Sequence, residues 1–442
     1  MSNLPFGFSP GNGDDEGGRA NDPFSAMFGA AGANPADLGA ALHRFADLMS
    51  WQGGPVNWDL AKEGALTAAG ADDPGTSPTD TARIREAVEL ADLWLNEATT
   101  LPSGVTSVEA WSRRRWVEAT QPAWAQLCDP VAARVVEAMG SAMPAEMAPM
   151  AGPLMGMMRT VGGMMFGAQV GSALGSLAAE VVSSTDVGLP LGPGGRAALL
   201  PANVAAFGKG LEIPADEVRL FLAAREAAHM RLFSHVPWLR GHLFAAVEAY
   251  AKGIRVDTDA LESAVRDLNP QDPEALQQAL SGGMFEPQET PEQKAALRRL
   301  ETALALVEGW VDEVVDAATR GKLPSSTALR ETVRRRRATG GPAEQTFATL
   351  VGLELRPRRL REAATLWRSL AEIRGIEGRD ALWSHPDLLP TGDDLEDPAA
   401  FATGAAALDI SSLTDLPPQE TPGESSGEAH GDAPGEDEQP EA

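Results

Sequence analysis

At 442 residues the chain has room for two or three domains, or for one large body with tails. Its 43% hydrophobic content supplies a sizeable core, and its single cysteine, Cys128, excludes an internal disulfide and any cysteine-rich metal site. A net charge of −27 excludes a diffuse basic surface for nucleic acid, because phosphate binding needs clustered cations.

Residues 1–33 are rich in Gly, Asp and Asn and are expected to be disordered. The first residues lack a basic stretch followed by an apolar core, so no signal peptide is expected. Together with the near-absence of cysteine, this points to the cytoplasm. Asn34-Pro35 opens a short helix with Leu38, Leu42, Phe45 and Leu48 on one face, and VNWDLAKEGAL opens another at 56. A longer helix is expected from Thr79 to Ala98, with one stripe made of Ile84, Ala87, Val88, Ala91, Trp94, Leu95 and Ala98. Ser107 can cap the next, which carries Trp111, Trp116 and Trp124 as packing residues.

The stretch from Met147 to Val182 is rich in Met and Gly, and residues 160–179 carry no charge. Twenty such residues are long enough to span a membrane. Their filling with Gly, Ala, Ser and Gln instead predicts a buried helix of a soluble bundle, so no membrane partner is expected. Gly163, Gly167, Gly171 and Gly175 recur every fourth residue, a spacing that lets two helix backbones approach closely. After a turn-rich connection, residues 198–207 read as a short strand that Pro201 confines to a sheet edge. Thr290-Pro291-Glu292-Gln293 is a capping box that starts a helix of about thirty residues closed by Gly321. Ser325 and Ser326 cap a further helix ending in Arg334 to Arg337, and another follows Pro357. Beyond residue 400 the chain turns acidic: residues 417–442 hold eight acidic residues and no Lys or Arg, and they read as a solvating, disordered tail. The architecture expected is therefore mainly α with few or no short strands. Disordered segments at 1–33 and 401–442 flank a helical body at 34–400, itself divided into 34–195 and 196–400.

The chemistry gathers at 214–238. Within it, Arg225-Glu226-Ala227-Ala228-His229 differs in one letter from H-E-x-x-H, the helical motif in which two histidines bind zinc and the glutamate polarises a metal-bound water. Positions 225 and 229 share a helix face, and Val218, Phe221, Leu222 and Leu232 make that face apolar. An arginine there cannot ligate, because a guanidinium stays protonated and offers no lone pair. It needs a carboxylate, since an unpaired buried charge is costly. Glu308 supplies one, sitting in the inner stripe of the helix after Thr290, where a leucine would be expected. The residues leave two readings open. One is a metal site of His229 and Glu308 with Glu226 as general base. The other is an ion-paired network, Arg225 with Glu308 and with Glu226 as a further candidate partner, standing in place of the metal. His235, His242 and His385 have no ligand spacing that would complete a site. Twelve arginines between 330 and 379 are expected to pair internally; a phosphate-binding patch and docking of the acidic tail are the alternatives.

Several stretches, VNWDLA (56–61), MMFGAQVGSALG (164–175), TDVGLPL (185–191), REAAHMRLFSHVPWLR (225–240), LALVEGWVDEVV (304–315), GLELRPRRLREAATLW (352–367) and WSHPDLLPT (383–391), together resemble the zincin-like zinc-dependent metalloproteases or hydrolases common in actinobacteria. Relatives in that group are associated by name with deazaflavin-cofactor biosynthesis. The resemblance implies a zincin-like helical domain over 34–400 and zinc as cofactor. It also implies His229 and Glu308 as metal ligands and Glu226 as catalytic base. The sequence departs from that pattern at Arg225, the first ligand position. A peptide or protein is the expected partner, as substrate if the chain is a hydrolase and as ligand if it is a non-catalytic scaffold.

Overall fold

The computed structural model describes residues 51, 54–70, 73–141, 151–253, 290–338 and 359–404. The helix read at 34–48 and the segment expected to be disordered at 1–33 lie outside these, as does the tail expected at 401–442 from residue 405 on; its first residues, 401–403, instead end a short helix. Eleven helices make up most of the described chain: α1 (Trp58–Gly70), α2 (Pro78–Leu95), α3 (Arg113–Ser141), α4 (Ala151–Ala178), α5 (Pro201–Gly208), α6 (Ala215–His235), α7 (Pro237–Lys252), α8 (Pro291–Thr319), α9 (Ser326–Ala338), α10 (Leu360–Asp380) and α11 (Pro398–Thr403). Two four-residue strands accompany them, β1 (Ser107–Ala110) and β2 (Arg196–Leu199), paired in parallel with Ser107 opposite Arg196. The expected mainly helical class is what the chain adopts.

Local chemistry sets the helix boundaries. Ser77 and Asp80 form a reciprocal capping box at the start of α2, with Pro78 in the first turn. Thr290 and Gln293 do the same for α8. Two readings change. Ser107 does not cap a helix but begins β1; the cap falls five residues later, where the Ser112 hydroxyl accepts from the Arg115 amide. The strand expected at 198–207 lies at 196–199, and Pro201 opens α5, because a fixed φ near −65° suits a first helical turn.

The glycine row of α4 has a definite partner. Ala61, Ala65 and Ala69 of α1 are buried at the same four-residue spacing. A Cβ added at Gly171 would lie 2.7 Å from the Ala61 carbonyl, and one at Gly175 would lie 2.5 Å from the Ala68 methyl. The two backbones therefore touch along a seam of small residues, and the Asn57 amide donates to the Gly163 carbonyl at 2.9 Å. Among the described residues no helix is long and apolar enough to cross a membrane.

Helices α6 and α8 form the centre. From Phe221 to Leu232, and from Ala303 to Val315, every residue is buried, so neither segment presents a face to solvent. Around them pack α2, α7, α9 and α10. Gly309 lets α10 approach, since a Cβ there would come within 2.6 Å of Ala363. Buried polar groups lock the surroundings. Asp380, at the end of α10, accepts from the Thr99 hydroxyl (2.6 Å), Trp310 Nε1 (2.9 Å) and Arg379 Nε (2.8 Å). Those partners hold its carboxyl below the ordinary value although burial works the other way. Trp383 stacks on Trp367 with ring centres 5.2 Å apart and meets Trp310 edge-on at 6.4 Å. Cys128 is buried in α3, and burial first, then neighbouring Asp129, pushes its thiol pKa up.

Candidate functional site

The two central helices carry the residues singled out at 225, 226, 229 and 308. Acidic Asp216 and Glu217 in its first turn favour α6 through the helix dipole, and the chain breaks at Val236 before Pro237 starts α7. Arg225 and His229 face α8 one turn apart. Arg225 Nη2 donates to Glu308 Oε2 at 2.6 Å. His229 Nε2 lies 3.1 Å from Glu308 Oε1, and its Nδ1 lies 2.9 Å from the Arg225 carbonyl oxygen. The ring also stacks on Phe233 at 5.9 Å.

A third cation joins from α9. Arg337 Nη2 donates to Glu308 Oε1 at 2.9 Å and to the Asp186 carbonyl at 2.6 Å. Gly188, at φ 80°, brings the 185–191 connection down on the same carboxylate: a Cβ there would sit 2.7 Å from Glu308 Oε1. One carboxylate thus gathers two guanidiniums and an imidazole in a place almost closed to solvent, Glu308 being 2% exposed. Burial opposes its charge, yet Arg337, His229 and Arg225 together hold its pKa far below the usual carboxylate range.

Glu226 is placed elsewhere. It is fully buried and turned toward β2. Its Oε1 accepts from the Ser184 hydroxyl and from the Ala198 amide at 3.1 Å. Its Oε2 accepts from the Thr185 hydroxyl at 2.5 Å and the Thr185 amide at 3.3 Å. No hydrogen bond or ion pair joins it to Arg225, His229 or Glu308. It staples the 183–185 segment and the short sheet onto α6.

These residues do not fit zinc. A catalytic zinc takes three protein ligands and keeps one position open. Position 225 offers protonated nitrogen, both Glu308 oxygens already accept from charged donors, and the general-base position is committed to four neutral donors. Among the described residues no group of three His, Cys, Asp or Glu side chains converges as a metal site would require.

A family model of zincin-like metallopeptidases matches residues 56–402. The chain belongs to that family. The family fold is thus present here, with Arg225-Glu226-Ala227-Ala228-His229 on one of its two central helices. A solved structure from Chloroflexus aurantiacus, described as "a putative hydrolase with a novel fold", is similar at a TM-score of 0.57 and 20% identity, over 80% of this chain and 99% of that one. At that identity the likeness speaks for the fold. Comparison with curated proteins gives no match.

The sequence reading brought Arg225, His229 and Glu308 to one place, and the zincin-like chain has them there. It missed Arg337, Ser184 and Thr185. The signals for these were a run of four arginines ending an amphipathic helix, and a polar Ser-Ser-Thr run directly after two buried valines. The other described histidines stay apart from the cluster. His235 meets the Ser103 carbonyl, His242 lies edge-on to Trp238, and His385 faces Asp387. The arginines of 330–379 that the structure describes pair internally: Arg330 and Arg334 with Asp312, Arg368 with Glu313, Arg359 with Glu396 and Arg361 with Glu331.

Proposed function

We propose that this protein is a non-catalytic member of the zincin-like metallopeptidase family, a cytoplasmic peptide- or protein-binding scaffold in which the Arg225 guanidinium takes the place of a metal ion. The observation that carries this reading is the 2.6 Å ion pair between Arg225 and Glu308, made on the helix face that would otherwise hold a metal. A guanidinium is a permanent cation, so it neutralises the carboxylate without a lone-pair donor set. It cannot polarise a water, and Glu226, bound on all sides, cannot take a proton from one.

Family membership favours the competing reading, a zinc-dependent hydrolase in which Arg225 swings aside to admit the metal. Metal analysis of protein purified without a histidine tag separates the two. The scaffold reading expects less than about 0.1 zinc per chain after dialysis against micromolar zinc, and no change on His229→Ala. Stoichiometric zinc that disappears in His229→Ala would defeat it.

A further inference from the structure

Helix α6 carries two buried arginines in very different states. Arg231, 1% exposed, uses four of its five N–H groups: Nε donates to Asp92 Oδ1, Nη1 to the Leu101 carbonyl, and Nη2 to the Asp92 carbonyl and Asn96 Oδ1, all at 2.7–2.8 Å. Arg379, equally buried, donates through Nε and Nη2 and lies over the Trp310 ring. Arg225 is 6% exposed, yet its bond to Glu308 uses a single proton on Nη2. Its remaining N–H groups have no acceptor among the described residues. A guanidinium so nearly buried does not discard most of its hydrogen bonds without cost.

The unused donors are not sealed in. Neither Nε nor Nη1 of Arg225 is among the fully buried polar atoms that lack a partner, so both keep some accessible surface. The second Nη2 proton, with its neighbour on the same edge of the guanidinium, leaves a complete two-donor fork. Such a fork matches a carboxylate in plane and spacing. The charge favours an anion as well. Glu308 is a single negative charge shared by Arg225, Arg337 and His229, and Asp186, the nearest further carboxylate in the cluster, is paired with Arg336 at 3.4 Å.

We infer that the free edge of Arg225 is a binding site for the terminal carboxylate of a ligand that enters end-on. This rests on the scaffold reading above and names what the scaffold grips. With the residue only 6% exposed, a chain end reaches that edge where the side of a chain does not. A peptide C-terminus and a small organic acid share this chemistry.

The test titrates the full-length protein at fixed ionic strength with three probes: sodium acetate, N-acetyl-trialanine as the free acid, and the same peptide as its amide. Binding is read by calorimetry and by the shift in Tm. Saturable binding of the free acid, absent for the amide, is expected, and Arg225→Lys should weaken it at least tenfold. The lysine keeps a cation against Glu308 and so protects the fold while removing the fork; circular dichroism checks that it does. Acetate binding without peptide binding supports the site and assigns it to small acids. Equal binding of acid and amide, undiminished binding by Arg225→Lys, or no saturable binding of any probe overturns the inference. Zinc measured on the same sample reports separately on the scaffold reading, so the two can fail independently.

Discussion

Glu226 and Glu308 are both buried glutamates on the two central helices, and they are satisfied in opposite ways. Glu226 draws on neutral donors: two hydroxyls and two backbone amides from the 184–198 region. Glu308 draws on charge, with donors from α6 and α9 converging on α8. A carboxylate held by dipoles fixes local backbone geometry and carries its own charge unbalanced. One held by cations is a long-range electrostatic joint whose partners suffer when it is lost. The first is a staple; the second is the hub on which three helices depend. That contrast makes the Glu308 cluster, and not Glu226, the electrostatic centre of the two helices.

The largest effect is expected from Glu308→Ala. It strands two guanidiniums and an imidazole, and breaking a buried pair costs roughly 3–5 kcal/mol. Urea denaturation measures the loss. Glu226→Gln keeps shape and swaps one acceptor for a donor facing hydroxyls that can rotate, so about 1–3 kcal/mol is expected. If Glu226→Gln proves the more damaging of the two, the contrast is broken.

Acid pH sharpens the contrast further. The folded-state pKa of Glu308 is depressed, so the unfolded chain takes up its proton first. The stability this supplies is complete above the ordinary glutamate value of 4.5 and is lost as pH falls below it. The stability gap between wild type and Glu308→Gln should therefore be full at neutral pH. It should shrink by up to ~1.4 kcal/mol per pH unit below that value. A gap independent of pH would mean the charge of Glu308 contributes nothing. The smallest effect belongs to Arg337→Met. Glu308 keeps two partners, and roughly 1–2 kcal/mol is expected, read as a modest fall in the urea midpoint.

The helices were legible because their ends are written locally. The Thr290–Gln293 capping box and the Gly321 stop bound α8 to within a residue or two, and the alternating burial of α2 follows its stripe. The Arg225–Glu308 pair was legible for a different reason: each residue breaks an apolar face, and two such breaks on facing helices attract. What escaped was non-local. The β1–β2 pair joins segments 89 residues apart in register, and nothing in Ser107–Ala110 distinguishes a strand from a capped helix start. Arg337 looked like one of a surface run, and only the position of α9 turns it inward. The stripe reading also gave α6 and α8 a single buried face. In the folded chain they are enclosed all round, which is why Glu226, off that stripe, still finds a dry environment.

The lone cysteine has a practical consequence. Cys128 lies inside α3 with its thiol held protonated, and no second thiol competes for reagent. A thiol-directed label therefore meets the native chain as inert and the opened chain as reactive. Labelling rate against denaturant becomes an intrinsic clock for the opening of the N-terminal helices. Comparing it with tryptophan emission from the cluster around Trp383, on the far side of the central pair in sequence, tells whether the two halves of the chain come apart together or in turn.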